Sequence, residues 1–278
     1  MKKIFTAFLI LCFTGKLSAQ QQFPGAILET TIFPGFDHPN QDSAIYNAGW
    51  AENDGGLYIL ANGLFKISKI LLSENAVAPG YPKVYVPVCP EYLPGYPGFD
   101  IDPDNGSFWI PWGGQGVYFC YDSSLMLQLQ DTLKINQLDT ISDISPGELL
   151  IHEDQLFLVY ATLDSIGNYT NAFVNQYSYP DLQLQHESLL ENVELTHFAQ
   201  SWCDAMIFEN HLYIAYGLQH NQQQCIVKTS FDGTNQEIIT VEDEEVPWFN
   251  GIFATGDKLY LNAVYFMIVL KQGEIINK

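Results

Sequence analysis

Trp202-Cys203-Asp204-Ala205-Met206-Ile207-Phe208-Glu209-Asn210-His211-Leu212-Tyr213-Ile214 lays out half of a sheet-forming unit: a short apolar run, a polar turn, then a Leu-Tyr-Ile strand. Variants recur at residues 47–59, 98–110, 146–158 and 249–261. Each closes on an aromatic or aliphatic triplet: Leu57-Tyr58-Ile59, Phe108-Trp109-Ile110, Leu156-Phe157-Leu158, Leu212-Tyr213-Ile214 and Leu259-Tyr260-Leu261. The first residues of the triplets are 51, 48, 56 and 47 positions apart. Strand-rich units repeating at this period cannot bury their own faces, so they must stack on their neighbours.

The rest of each unit supplies the other strands. Ala61-Asn62-Gly63 predicts a tight hairpin turn between two apolar runs. Third strands are expected at residues 117–121, 173–177 and 225–229, and fourth strands at 125–129, 182–185 and 236–241, where apolar and polar residues alternate. Four antiparallel strands per unit, five times over, predict an all-β chain, a β-propeller of about five four-stranded blades. A plausible strand at residues 26–33 is expected to complete the last blade and so hide two sheet edges. Two sandwiched β domains are the alternative if the spacing is coincidental.

The chain opens Met1-Lys2-Lys3, runs apolar and reaches Ser18-Ala19, the parts of a cleaved secretory signal spanning residues 1–19. No later stretch is long and apolar enough for a transmembrane helix. Residues 20–278 then form the propeller-like domain, expected outside the cytoplasm: extracellular, at the cell surface or in the periplasm. The ending resembles a known family: Val264-Tyr265-Phe266, Leu270-Lys271 and Gly273-Glu274-Ile275-Ile276-Asn277-Lys278 look like the final hairpin of the C-terminal sorting domains of proteins exported by the type IX secretion system. Those domains begin with an Ile-Tyr-Pro-Asn-Pro-like motif, which this sequence lacks.

Charge narrows the partners. The chain carries 32 Asp plus Glu against 11 Lys plus Arg, and all 11 are lysine, for a net charge of −21. Phosphate backbones need a basic surface, so nucleic acid is a poor partner. Without arginine, planar bidentate clamping of carboxylate or phosphate is also unavailable. Cations, glycans and basic proteins remain. The mature cysteines, Cys89, Cys120, Cys203 and Cys225, permit two disulfides in any of three pairings or buried free thiols, and their spacing gives no zinc pattern.

Two groups of residues are candidates for a site. Counting eight residues back from each triplet gives a column of Gly49, Asp100, Glu148, Asp204 and Gly251. On leading strands lining a propeller axis, Asp100, Glu148 and Asp204 would converge as hard oxygen ligands, with calcium the natural metal and a water-filled channel the bland alternative. The second group is aromatic: residues 76–98 hold six prolines and cannot be central strand. Tyr92, Tyr96 and Trp112, in and after this excursion, are candidate ligand-binding residues for a glycan or protein partner. Asp100-Ile101-Asp102-Pro103-Asp104-Asn105-Gly106 superficially resembles a calcium loop and reads better as a turn. No Gly-x-Ser-x-Gly elbow offers a nucleophile. The sequence therefore predicts a secreted binding protein with no catalytic residues assigned; the alternatives are a calcium-dependent glycan hydrolase or lyase using the axial carboxylates, and a purely structural surface protein.

Overall fold

Each of the five triplets lies in the first half of a second strand, and around each the chain folds into one antiparallel sheet. The structure is a computed structural model that describes residues 48–53, 55–61, 66–71, 73–74, 76–84, 99–112, 116–139, 143–195, 203–241, 249–255, 257–263, 267–271 and 274–277. The first sheet is β1 (Ala48–Asn53), β2 (Gly56–Ala61), β3 (Lys66–Leu71) and β4 (Ala76–Val77), with β5 (Lys83–Val84) also on β3. The second is β6 (Asp100–Ile101), β7 (Phe108–Trp112), β8 (Val117–Tyr121) and β9 (Leu127–Thr132). The third is β10 (Asp143–His152), β11 (Gln155–Leu163), β12 (Tyr169–Ser178) and β13 (Leu184–Leu189). In the fourth, β14 (Glu194–Leu195) and β17 (Leu218–His220) extend a sheet of β15 (Cys203–Phe208), β16 (His211–Tyr216), β18 (Gln223–Thr229) and β19 (Gln236–Thr240). The fifth is β20 (Phe249–Thr255), β21 (Lys258–Ala263), β22 (Met267–Lys271) and β23 (Glu274–Asn277). Five successive antiparallel sheets, each running from a leading to an outer strand, define a five-bladed β-propeller.

The chain divides into two compact units, Met1–Trp109 with Cys120–Leu129, and Ile110–Phe119 with Gln130–Lys278. In the first, leading strand β1 packs beside β6. Tyr58 meets Phe108 edge-on at 5.5 Å between ring centroids, and Phe99 stacks on Phe108 at 6.5 Å. In the second, β10, β15 and β20 pack in succession. There β16 serves two cores at once. Leu212 and Ile214 join Phe157, Val159 and Val174 of the third sheet, while Tyr213 and Ala215 join Ile252, Leu259 and Leu261 of the fifth. A strand covered on both faces needs no polar alternation, which is why the triplets are apolar throughout.

Polar ties lock the third sheet to its neighbours. Ser188 Oγ donates to the Asp232 carbonyl at 2.8 Å, and Gln236 Nε2 donates to the Leu189 carbonyl at 2.7 Å. Phe231, in the same turn, packs at 5.2 Å on Phe157. On the other face, the Glu187 carboxylate accepts the Asn136 N–H at 2.9 Å, the Gln137 side-chain amide at 3.1 Å and the Asn175 amide at 3.2 Å. Tyr177 donates to the Lys134 carbonyl at 2.9 Å. Glu187 thus pins the 3-10 segment Asn136–Asp139 that leads into the third sheet. Glu187→Ala is expected to cost about 1–3 kcal/mol, because three donors lose their acceptor together; urea denaturation at neutral pH measures it.

Several expectations need adjustment. β2 pairs with β3 from Gly56↔Leu71 to Ala61↔Lys66, and the expected Ala61-Asn62-Gly63 turn falls on residues 62–65, which lie outside the described residues. The fourth strands β9 and β13 start two residues later than expected, because Leu125 and Leu182 still belong to the turns, with φ of 64° and 54°. Cys120 and Cys225 are buried free thiols, which removes the pairings that need two disulfides. The fifth sheet draws all four described strands from residues 249–277, so the last unit is a blade in its own right. The expected strand at 26–33, the signal at 1–19, and Cys89 lie outside the described residues.

Candidate functional site

A strand's side chains leave its two faces, so leading-strand residues point into the spaces shared with flanking sheets, and only the strand's edge can face an axis. Asp204 shows the consequence. It lies on β15 with the parity of Met206 and Phe208, both packed into the core shared with the fifth sheet. Its Oδ2 accepts the N–H of Ile252 on β20 at 2.8 Å. A second backbone donor, Ala205, also lowers its pKa, yet burial outweighs both and raises it to about 7. Asp204 is therefore a brace between the leading strands of the fourth and fifth sheets.

Glu148 lies at the register break between Pro146 and Leu149 in β10 and is 7% exposed. In its own sheet, Asp100 Oδ1 accepts the adjacent Ile101 N–H at 2.8 Å. Its register also departs from the counted column. Asp204 faces Ala215, Gly251 faces Asn262 and Gly49 faces Leu60, each three residues past the first of its triplet. Asp100 instead faces Trp109, one residue past. It is displaced by one two-residue pleat, about 7 Å along the strand. The cause is the first hairpin of this sheet, which closes at Ile101↔Phe108 around six residues, where the others close around two. Among the described residues, no group of three or more His, Cys, Asp or Glu side chains is placed to hold a metal ion.

The Asp-Pro-Asp-Asn-Gly loop is the turn its sequence favours. Asp102 Oδ1 accepts the Asp104 N–H at 2.8 Å, its carbonyl accepts the Gly106 N–H at 2.8 Å, and its Oδ2 holds the Asn105 amide. Gly106 takes φ 71°. Asp102 is 2% exposed and its carboxylate is spent on this turn.

Of the aromatics, Phe99 and Trp109 are core, at 1% and 5% exposure. Trp109 Nε1 donates to Ser107 Oγ at 3.0 Å. Tyr92, Tyr96 and the side chain of Trp112 lie outside what the structure describes. The backbone nonetheless places Trp112: β7 runs antiparallel to β6 and finishes at Trp112, at the end of the sheet where the chain enters at Asp100.

The fold class has known counterparts. No protein-family model matches the chain, and no curated protein matches its sequence. Among solved structures, a chain of a nidogen/laminin complex superposes with a TM-score of 0.55 at 12% identity, covering 83% of this chain and 78% of that one. A chain of Kuenenia stuttgartiensis hydrazine synthase superposes with a TM-score of 0.52 at 12% identity, over 80% of this chain. The present chain spans 64% of that synthase chain. At such identities the likeness shows the propeller fold. No helix among the described residues is long and apolar enough to cross a membrane.

Proposed function

We propose that this chain is an exported binding protein that engages a protein or glycan partner through the loops at the end of the second sheet where β7 finishes. The observation carrying this reading is that Trp112 closes β7 at the end from which the aromatic, proline-rich segment bearing Tyr92 and Tyr96 enters the second sheet. Tyrosine and tryptophan are large amphipathic side chains of the kind that suit a contact surface. Composition selects the partner: with 32 acidic side chains against 11 lysines, the surface repels polyanions and attracts basic proteins or tolerates neutral glycans. The structurally similar chain from the nidogen/laminin complex belongs to a protein–protein assembly, which supports a binding use of this fold.

Binding of the mature chain to immobilised neutral glycans and basic proteins tests the reading. Trp112→Ala should weaken binding tenfold or more, since a buried aromatic anchor is worth about 2 kcal/mol or above, while leaving the melting temperature near that of wild type. Unchanged binding by that variant would refute the loop surface. A calcium-dependent rise in melting temperature, lost in Asp100→Asn with Asp204→Asn, would instead favour a metal-dependent glycan-active enzyme.

A further inference from the structure

The fourth sheet carries a groove of about 340 Å³ near the start of β16 and the turn between β18 and β19. It is lined by His211, Lys228, Thr234, Asn235, Gln236 and Glu237. Lys228 and Glu237 are paired across β18 and β19, with Nζ and Oε2 3.1 Å apart. Among the described residues no apolar side chain lines the groove, so a hydrophobic ligand has little to bury against. A simple anion is poorly served too, because Glu237 already neutralises Lys228 and Glu209 acts on the same ammonium.

What the groove holds is unspent hydrogen-bonding capacity of both kinds. The Lys228 ammonium has three N–H donors, and Glu237 takes one of them. Glu237 keeps Oε1 as an acceptor. His211 Nδ1 lies 2.8 Å from the Glu209 carbonyl, which can only accept, so Nδ1 carries a proton and Nε2 is left for the groove. The Asn235 amide nitrogen reaches Thr234 Oγ at 3.4 Å, leaving its carbonyl oxygen as a further acceptor. Gln236 is already committed: its Nε2 donates to the Leu189 and Gly233 carbonyls, and its Oε1 accepts the Glu191 N–H, which fixes that wall.

Adjacent donors and acceptors of zero net charge are complementary to vicinal hydroxyls, each of which donates and accepts at once. We propose that this groove binds a neutral sugar ring, with Lys228 donating to one hydroxyl and Glu237 accepting from its neighbour. The site is separate from the Trp112 loops: it sits beside the turn between third and fourth strands, whereas Trp112 ends a second strand at its junction with the third.

The test is a titration of the mature chain, labelled at histidine, with D-glucose, D-galactose, D-mannose and N-acetyl-D-glucosamine, reading the ring resonances of His211 by NMR, with D-glucuronate as the charged control. At least one neutral sugar should shift those resonances saturably, with a Kd of about 1 mM, equivalent to −4.1 kcal/mol. Lys228→Met and Glu237→Gln should each weaken it tenfold or more. Both keep the fold, since an exposed ion pair contributes at most about 1 kcal/mol, and a melting curve verifies this. Trp112→Ala should leave the titration unchanged. The proposal is overturned if none of the four sugars gives a saturable shift, if glucuronate binds more tightly than all of them, if both groove variants bind like wild type, or if Trp112→Ala abolishes the shift.

Discussion

Gly233→Ala should lower the melting temperature by roughly 6–12 °C, taking a loss of about 3 kcal/mol at 2–4 °C per kcal/mol. Two effects add. Gly233 has φ 73°, a left-handed conformation that costs an alanine about 1 kcal/mol. A methyl group there would also land on the Cβ and Oγ of Ser188, and a Cβ cannot rotate away as the tip of a long side chain can. Overpacking of this kind costs about 1–3 kcal/mol. Ser188 is the residue whose hydroxyl ties the third sheet to the Asp232 carbonyl, so the clash opens the tie as well. Gly167→Ala provides the comparison: its φ is 85° but nothing lies within 4 Å, so only the backbone effect applies. Adding Ser188→Gly to Gly233→Ala should recover the overlap but not the conformational cost. Equal losses for Gly233→Ala and Gly167→Ala would show that the two sheets do not meet closely at this turn.

That seam was not legible in the sequence, whereas the sheets themselves were. The triplets were readable because a second strand covered on both faces is apolar at every position, a signal that survives without alignment. Residues 230–235 read only as Ser-Phe-Asp-Gly-Thr-Asn, a turn; that Gly233 is required follows from Ser188, 45 residues earlier, and no local pattern carries such a distance. The register of the carboxylate column was hidden for a similar reason. Counting back from a triplet assumes hairpins of equal length, and the six-residue loop before Phe108 breaks the assumption for Asp100. Even with correct counting, the expectation treated leading-strand side chains as facing an axis, whereas strand geometry turns Asp204 toward the neighbouring sheet. The groove at Lys228 and Glu237 was missed because its members are 17 to 26 residues from His211 and meet only through the pairing of β16, β18 and β19. A sign of it did exist: Lys228 and Glu237 are the two charges in strands otherwise made of apolar and neutral polar residues.

Asp204→Asn should remove a fall in stability that the wild-type protein shows as pH rises from about 4 to about 7. The sign follows from proton uptake. In the unfolded chain this carboxyl ionises near its ordinary value of 3.8, while in the folded chain burial holds its proton up to about pH 7. Between those values the folded state binds a proton that the unfolded state has released, so the stabilisation is complete below pH 4 and is lost as pH rises through 7. Three pH units at 1.36 kcal/mol each set a ceiling of roughly 4 kcal/mol, and a half-buried residue should realise about half of it. An asparagine has no such titration; its oxygen can still accept the Ile252 N–H, so the brace between β15 and β20 survives. Relative to wild type, the variant should therefore gain stability with rising pH and overtake it in mildly alkaline buffer. Asp164→Asn gives the opposite sign, because hydrogen bonds from Asn168 hold the Asp164 carboxyl below its usual range, so its contribution appears above pH 4 and is lost on acidification. Urea unfolding at pH 3, pH 5 and pH 8.5 separates these cases, the Asp164 effect appearing between the first two buffers and the Asp204 effect between the last two. If wild type and Asp204→Asn lose stability in parallel between the last two buffers, the Asp204 carboxyl ionises normally in the folded chain and the burial argument for it is wrong.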